Sequence, residues 1–369
     1  MNLLIIYVLN IALDRDSSDI DPKSKRTDLE VLYKPSDYVN EQENLGNDEV
    51  IPSLPSLLVP KQADLMEEIK RISKNFNIWD MIKLFVHRPS EYKDAFVKEI
   101  EASFHSIYFG EISIIMRKFG LPPNPYFYAI NSVLFSKENL DAFHLKYCFN
   151  VRSIIREILC TKSQRQLKKI NEIFIEESRG GLLALVPNDR SVYKREFINQ
   201  LLTVQRSTSM YFDINDSFLM DFKLYTDHNY YKKNKEKFIR IFATASYYQI
   251  RKICHEYQKR FNKTLPSSIS KGRDSFLKKC AKTICEYAIN SHKYYAKLLR
   301  KAASHRDMQR IIRIVTSRSE IDLTTIFREY RNMYSFQYIK SIENAFFDHI
   351  EIYTDIILPL LGLEKGTRL

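Results

Sequence analysis

Apolar side chains recur at helical spacing along most of the chain, and the pattern is clearest near its C-terminal end. Ile311, Ile314 and Val315 follow the i, i+3, i+4 spacing of one helical face. A second face of the same kind begins at Leu323. The polar stretch 317–320 lies between them and suits a helix end followed by a new N-cap. The pattern predicts two helices joined by a tight polar corner.

The same arrangement occurs three more times upstream. When Arg318 is taken as the reference, the equivalent residues are Arg88, Lys162 and Ala245. Apolar residues stand seven, four and three positions before each reference, and eight and twelve positions after it. Four copies of one helical unit at a near-constant period account for this agreement. The matching positions are Met81, Leu84, Phe85, Phe96 and Ile100; Ile155, Ile158, Leu159, Ile170 and Phe174; Phe238, Ile241, Phe242, Ile253 and Tyr257; and Ile311, Ile314, Val315, Ile326 and Tyr330.

These strings resemble the repeats of one known family. The fourth copy, RIVTSRSEIDLTTIFREYRNMY, resembles the fourth repeat of an annexin. Residues 157–174 (EILCTKSQRQLKKINEIF) resemble the second repeat, and residues 238–261 (FIRIFATASYYQIRKICHEYQKRF) resemble the third. Residues 81–104 are the most divergent copy. The resemblance covers about residues 61–362, and the last repeat is its most specific part.

The resemblance implies an all-α protein. We expect four annexin-like repeats of about five helices each, forming a curved disc, with a flexible N-terminal tail in front. Few glycines and prolines agree with long helices, because only eight glycines and twelve prolines occur in 369 residues. The predicted divisions are an N-terminal apolar segment and acidic linker at 1–60, then repeats at 61–136, 137–207, 208–290 and 291–363.

The first sixty residues have two parts. Residues 3–13 form an apolar run that is too short to span a membrane. It has the length of a signal-peptide core but lacks a basic leader. We expect an annexin N-terminal segment that packs on the core or meets a partner protein, with secretion as the alternative. Residues 14–60 are polar, acidic and dotted with proline, which predicts a flexible linker.

Charge is unevenly divided along the chain. The formal net charge is +12, although residues 14–50 contain eleven acidic and only five basic residues. The remainder is therefore strongly basic and should associate with an anionic partner such as acidic lipid. Five cysteines form no paired framework, which favours reduced thiols in a cytosolic protein. No phosphate loop, nucleophile motif or metal-ligand set is evident, so we predict that the protein is not an enzyme.

The annexin resemblance implies loops of the form K-G-x-G-T that offer backbone carbonyls to calcium, with an acidic side chain about forty residues later. The corresponding stretches here are 73–77, 146–150, 230–234 and 303–306, and none of them contains glycine. The acidic partner survives only as Asp189 and, in the fourth repeat, Glu343. Calcium needs six to eight oxygen ligands, so we expect calcium binding to be weak or absent and predict no other cofactor.

Basic and aromatic residues replace these loops. Lysine contributes to binding at an anionic bilayer, and aromatic rings favour the headgroup level. We therefore predict peripheral, cytoplasmic binding of acidic phospholipid membranes with little or no calcium dependence. A structural, cytoskeletal or protein-interaction scaffold is the alternative, and nucleic-acid binding ranks third. The predicted membrane-binding residues are Lys74, Phe76, Lys146, Tyr147, Phe149, Tyr230, Tyr231, Lys232, Lys233, Lys235, His305 and Arg306.

Overall fold

The computed structural model describes residues 85–86, 88–93, 128–129, 132–133, 135, 137–147, 152–177, 181–185, 192–209, 214–225, 228–269, 276–334 and 336–363. Within these ranges every regular element is a helix and no strand occurs. The all-α prediction is therefore confirmed. The N-terminal segment and most of the first predicted repeat lie outside the described residues.

In the second predicted repeat, the residues that the structure describes form four α-helices and one short 3-10 helix. They are α1 (Lys137–Tyr147), α2 (Arg152–Thr161), α3 (Gln164–Glu177), the 3-10 helix Gly181–Leu185, and α4 (Val192–Thr203). Gly181 has φ +58°, and a Cβ added there would lie 2.5 Å from Asn171 Oδ1. Asn171 Oδ1 accepts a hydrogen bond from the Leu182 amide (2.8 Å), so glycine lets the chain turn tightly against α3.

The described residues of the third predicted repeat form six helices. They are α5 (Asp216–Leu224), α6 (His228–Lys233), α7 (Lys235–Thr244), α8 (Tyr247–Phe261), α9 (Leu265–Ile269) and α10 (Phe276–Ile289). A capping box begins α8, because Ser246 accepts from the Gln249 amide and the Gln249 side chain accepts from the Ser246 amide. Asn262, in the left-handed region with φ 49°, ends it. The extra helix α6 occupies the stretch that the sequence predicted as a loop.

The fourth predicted repeat contains α11 (Ser291–Ser304), α12 (Met308–Arg318), α13 (Leu323–Met333) and α14 (Phe336–Asn344). A 3-10 helix (Phe347–His349) and the segments Ile350–Ile352, Tyr353–Ile357 and Leu358–Leu360 follow. The corner between α12 and α13 lies later than predicted, because α12 continues to Arg318 and Asp322 occupies the N-cap position of α13.

The described residues form two compact units. Residues 138–295 belong to one unit, and residues 85–137 with 296–363 belong to the other. In the first unit α10 packs against α2 and α8. Ile158, Leu159, Ile253 and Ile284 are fully buried there, which places the repeated apolar positions in its core. The division at 137/138 and 295/296 falls within a few residues of two predicted repeat boundaries, which stay predictions.

In the second unit, one carboxylate joins segments that are far apart in sequence. Glu320 accepts hydrogen bonds from the Ser90 amide (3.1 Å) and from Ser90 Oγ (2.9 Å). Lys93 Nζ lies 3.6 Å from the same carboxylate. The sequence predicted Glu320 as part of a helix cap, whereas in the structure it ties the fourth repeat to the first.

A basic side chain at the corner between the second and third helix forms an ion pair in the second and fourth repeats. Arg318 donates two hydrogen bonds to Asp322 at 2.7 and 2.6 Å, and both side chains are buried. Lys162 pairs with buried Asp141 at 2.6 Å. The third repeat has Ala245 at this position, so it cannot supply a charge itself.

Arg206 restores the missing charge at this third corner. Its guanidinium NH1 donates to the Ala245 carbonyl at 2.7 Å, and its Cζ lies 4.7 Å from the centre of the Tyr247 ring. A guanidinium from the end of the preceding repeat therefore replaces the side chain that Ala245 lacks.

Replacing Arg206 with alanine should lower the free energy of unfolding by about 2 kcal/mol, because a charged hydrogen bond and a ring contact are lost. Urea denaturation followed by circular dichroism measures this change. Arg165→Ala, which removes an exposed arginine of α3, is the matched control and should change stability by less than about 0.5 kcal/mol. Equal effects of the two substitutions would contradict the assigned role of Arg206.

Candidate functional site

The candidate site is the stretch from Tyr230 to Lys237, here named the 230–237 corner, which joins α6 to α7. Helix α6 ends at Lys233, Asn234 follows as a turn residue, and α7 begins at Lys235. The Asn234 side-chain amide donates to the Tyr230 carbonyl at 2.9 Å, and the Asn234 backbone amide donates to it at 3.0 Å. The corner is therefore a closed helical turn that holds its own carbonyl groups in hydrogen bonds.

One carboxylate organises the inner side of this corner. Asp221 of α5 accepts a hydrogen bond from the Tyr230 hydroxyl (2.6 Å) and another from Lys237 Nζ. Burial alone would raise the pKa of Asp221, but the hydrogen bonds from Lys237 and Tyr230 outweigh it and lower that pKa. The hydrogen bond to Asp221, helped by burial, raises the pKa of Tyr230 to about 12. Asp221 thus neutralises Lys237 and fixes the Tyr230 ring.

Tyr231 is a core residue and not the exposed ring that the sequence predicted. It is 4% exposed and packs edge-on against Phe238, with ring centres 5.2 Å apart. Lys278 Nζ lies 4.8 Å from the centre of the Tyr231 ring, and Lys235 Nζ lies 5.8 Å from it. Two ammonium groups therefore share one aromatic ring, which partly offsets the cost of holding Lys278 at 3% exposure.

Lys232 and Lys233 form the outward part of the corner. Both side chains are exposed, and neither makes an ion pair with any other residue that the structure describes. Lys235 is half-buried, with its ammonium 4.7 Å from the centre of the Tyr193 ring. Within the described part of the chain no carboxylate therefore neutralises the first two lysines, and the third contacts two aromatic rings.

The corresponding turn of the fourth repeat, residues 305–307, is also basic. His305 and Arg306 are exposed, and His305 Nδ1 donates to the Lys301 carbonyl at 2.8 Å. Arg306 has φ 51°, a left-handed conformation that costs a residue with a Cβ about 1 kcal/mol. Asp307 then begins α12, with its side chain accepting from the Arg310 amide at 3.1 Å.

Several carbonyl groups in the two turns accept hydrogen bonds from within the same turn. The Ala302 carbonyl accepts from the Asp307 amide (2.9 Å), and the Ala303 carbonyl accepts from the Arg306 amide (3.2 Å). The Tyr230 carbonyl is engaged in the same way. These three carbonyl groups therefore take part in closing the turns, whereas calcium prefers a cage of outward carbonyl and carboxylate oxygens.

The structure describes only some of the remaining predicted site residues. Lys74, Phe76, Phe149 and the weak metal candidate Asp189 lie outside the described residues. Lys146 is half-buried in the last turn of α1, where Tyr147 is the final residue. Glu343, the second weak metal candidate, is half-buried in α14. Among the residues that the structure describes, no group of three or more histidine, cysteine, aspartate or glutamate side chains is gathered at one place.

Three residues of the site were not predicted from the sequence. Asp221 lies in the preceding helix, Tyr193 lies at the start of α4, and Lys278 lies at the start of α10. The only sequence signal was indirect, because lysine and arginine stand in the first turns of α4 and α10, where acidic residues are favoured.

None of the helices in the described ranges is both long enough and apolar enough to cross a bilayer.

Comparison with known proteins adds the following matches. A family model for annexins matches residues 228–284 and 294–352, which contain both turns described above. Annexin A8 of Pan troglodytes is 28% identical over 282 residues, covering 73% of this chain and 80% of that protein. Annexin A8 of Oryctolagus cuniculus is 29% identical over 316 residues, covering 82% and 92%. Chicken annexin V, solved in complex with Zn²⁺, shares the fold with a TM-score of 0.63 at 17% identity, covering 86% of this chain and 100% of that chain.

The Tyr230–Asp221 hydrogen bond should stabilise the protein in a pH-dependent way. The pKa of Tyr230 is higher in the folded protein than in the unfolded chain, so the stabilisation is complete below about pH 10 and is lost as the pH rises through about 12. Tyr230→Phe should therefore cost about 1 kcal/mol at pH 8, and the difference from the wild type should shrink between pH 10 and 12.

Urea midpoints at several pH values measure this difference. Tyr248→Phe is a suitable control, because Tyr248 is half-buried and makes no hydrogen bond to a described residue. A wild-type advantage over Tyr230→Phe that stays constant up to pH 12 would show that the hydroxyl does not bond Asp221 in solution.

Proposed function

Because the chain is a divergent member of the annexin family, we propose that it attaches to acidic phospholipid membranes through permanent positive charge and not through recruited calcium. Family membership supports phospholipid binding in general. Annexins are generally not enzymes, and the role proposed here is a binding role. We place the protein in the cytoplasm, peripherally associated with membranes, as annexins generally are.

The exposed pair Lys232–Lys233 is the observation that carries the proposal. Both ammonium groups belong to the corner that the resemblance identifies with an annexin calcium loop, and no described carboxylate neutralises them. Each lysine near an anionic bilayer contributes about 1 kcal/mol of binding. Lys237 contributes nothing comparable, because Asp221 already pairs with it.

The structure of the corner supports attachment without calcium. In an annexin calcium loop the ion supplies positive charge and orders the backbone. Here Lys235 and Lys278 supply positive charge beside Tyr231, and internal hydrogen bonds order the turn. Both tasks of the ion therefore have a counterpart at this corner.

Arg306 gives the fourth repeat a similar feature. Its side chain is exposed and its backbone has positive φ, where glycine would avoid the steric cost. Arginine at such a position adds positive charge at a cost in backbone conformational energy, as expected of a residue whose role is binding and not folding.

The double variant Lys232→Gln/Lys233→Gln should bind phosphatidylserine-containing vesicles at least about tenfold more weakly than the wild type, in the presence of a calcium chelator. Sedimentation of vesicles over a range of lipid concentrations measures the binding. The wild-type binding should also weaken as salt is raised, because exposed charges are screened.

Lys168→Gln/Lys263→Gln is the matched control, because it removes two exposed lysines from the same unit that make no ion pair with described residues. It should change vesicle binding by less than about threefold, the effect of net charge alone. Strict dependence of wild-type binding on calcium would defeat the proposal. A protein that ignores vesicles and co-sediments with filaments would favour the scaffold alternative.

Arg306→Gly should separate binding from folding. It removes one exposed charge, so vesicle binding should weaken about fivefold, an effect of about 1 kcal/mol. The free energy of unfolding should stay level or rise by up to about 1 kcal/mol, because glycine adopts positive φ without strain. A clear loss of stability, measured by urea denaturation, would instead make Arg306 a structural residue.

A further inference from the structure

Two side chains are much more exposed than any other large aliphatic or phenylalanine side chain in the described part of the chain. Val192 and Phe347 are each 78% exposed, whereas the next, Ile175, is 50% exposed. Val192 lies 30 residues after Lys162, the reference residue of the second repeat. Phe347 lies 29 residues after Arg318, the reference residue of the fourth. The two exposed side chains therefore occupy equivalent positions, at or just before the last helical segments of their repeats.

Val192 lies at the same end of its helix as the 230–237 corner. Helices α4 and α7 pack against each other. At their starts, the Lys235 ammonium lies 4.7 Å from the centre of the ring of Tyr193, the residue next to Val192. At their ends, the Ser207 amide donates to the Thr244 carbonyl at 2.8 Å. The two helices are therefore parallel, and the exposed valine lies beside the corner that presents the exposed lysine pair.

A second exposed valine, Val204, lies at the opposite end of α4. It directly follows Thr203, the last residue of the helix, and it is 39% exposed. An α-helix rises about 1.5 Å per residue, so about 18 Å separate the two valines along α4. Val204 therefore provides an internal comparison for Val192, because it is the same residue type at the end of the helix that lies away from the 230–237 corner.

We propose that Val192 inserts into the boundary between headgroups and acyl chains of an acidic phospholipid bilayer, while Lys232 and Lys233 contact the headgroups. The proposal rests on the membrane attachment proposed above and adds an apolar contact to it. The adjacent lysine pair indicates which partner this surface fits, because a bilayer offers anionic headgroups directly above an apolar interior. Phe347 supplies the same kind of contact in the fourth repeat.

An inserted side chain changes how attachment responds to salt. Attraction between lysine and anionic headgroups weakens as salt is raised, because dissolved ions screen it. Removal of an apolar side chain from water is not an interaction between charges, so screening leaves it in place. Single exposed apolar residues are common on protein surfaces and need no partner. A contribution to binding that resists salt is therefore the property that distinguishes insertion from chance exposure.

Tryptophan fluorescence tests the insertion directly. Val192→Trp and Val204→Trp are each mixed with phosphatidylserine vesicles in a calcium chelator, and the signal of the wild type, whose only tryptophan is Trp79, is subtracted. Emission from position 192 should shift to shorter wavelength and be quenched by lipids brominated on their acyl chains, whereas emission from position 204 should do neither. No shift and no quenching at position 192 in protein that sediments with the vesicles would overturn the insertion and leave attachment through lysine intact.

Vesicle binding at low and high salt separates the apolar contact from the charged one. Val192→Ser and Phe347→Ser should each weaken binding about fivefold, less than full burial of the side chain would give, and by the same factor at both salt concentrations. The loss caused by Lys232→Gln/Lys233→Gln should become smaller at high salt. Val204→Ser should change binding by less than about twofold. Circular dichroism and urea midpoints check that each variant folds.

Three outcomes of these measurements would contradict the insertion. Equal effects of Val192→Ser and Val204→Ser on vesicle binding would overturn it and leave general membrane attachment intact. A wild type that binds no vesicles at either salt concentration would overturn both proposals. A dimer that size-exclusion chromatography detects in the wild type and that Val192→Ser abolishes would assign the valine to a contact between two copies of the chain instead.

Discussion

Burial of one apolar stripe per helix is the constraint on which this structure depends. An isolated helix of ten to fifteen residues is marginal in water, so α2, α8 and α10 are stable only because they pack together. Ile158 of α2, Ile253 of α8 and Ile284 of α10 are completely buried, and α10 packs against both other helices. Each buried side chain of this size contributes about 1.5–3 kcal/mol. Because the stripe fixes the helices, the residues at their ends can change without loss of the fold.

The polar contacts at the corners between the second and third helices differ from one repeat to the next. Arg318 and Asp322 form a buried pair within one repeat, whereas Lys162 reaches back to Asp141. At Ala245 the repeat lost its own cation, and Arg206 donates to the backbone carbonyl instead. All three corners therefore contain a positively charged group, but it comes from different positions in the chain. A buried carbonyl at a helix end needs a donor, and any chain segment within reach can provide it.

The sequence allowed prediction of those features that depend on local periodicity. Helices α2, α3, α8 and α13 were predictable because each has an apolar stripe along its whole length of ten residues or more. Helix α6 was missed, because HNYYKK is only six residues long and shows no such stripe. Arg206 was missed because it acts on a residue 39 positions away in the chain. At the candidate site, the sequence predicted Lys232 and Lys233 as binding residues, and both side chains are exposed. The burial of Tyr231 was not predicted, because its contacts with Lys278 and Phe238 form only in the folded chain.

The 230–237 corner differs from a calcium loop in the source of its positive charge, which is lysine side chains and not a bound ion. A calcium loop is neutral or acidic until the ion arrives, so its attachment to a membrane depends on the calcium concentration. Lys232, Lys233 and Lys235 supply positive charge without a bound ion, so the proposed attachment through them would depend on salt and on the surface potential of the bilayer. Lys278 differs from these lysines, because it is buried in the first turn of α10 and its ammonium contacts the Tyr231 ring. The exposed charges of Lys232 and Lys233 are therefore the ones that the proposed attachment uses.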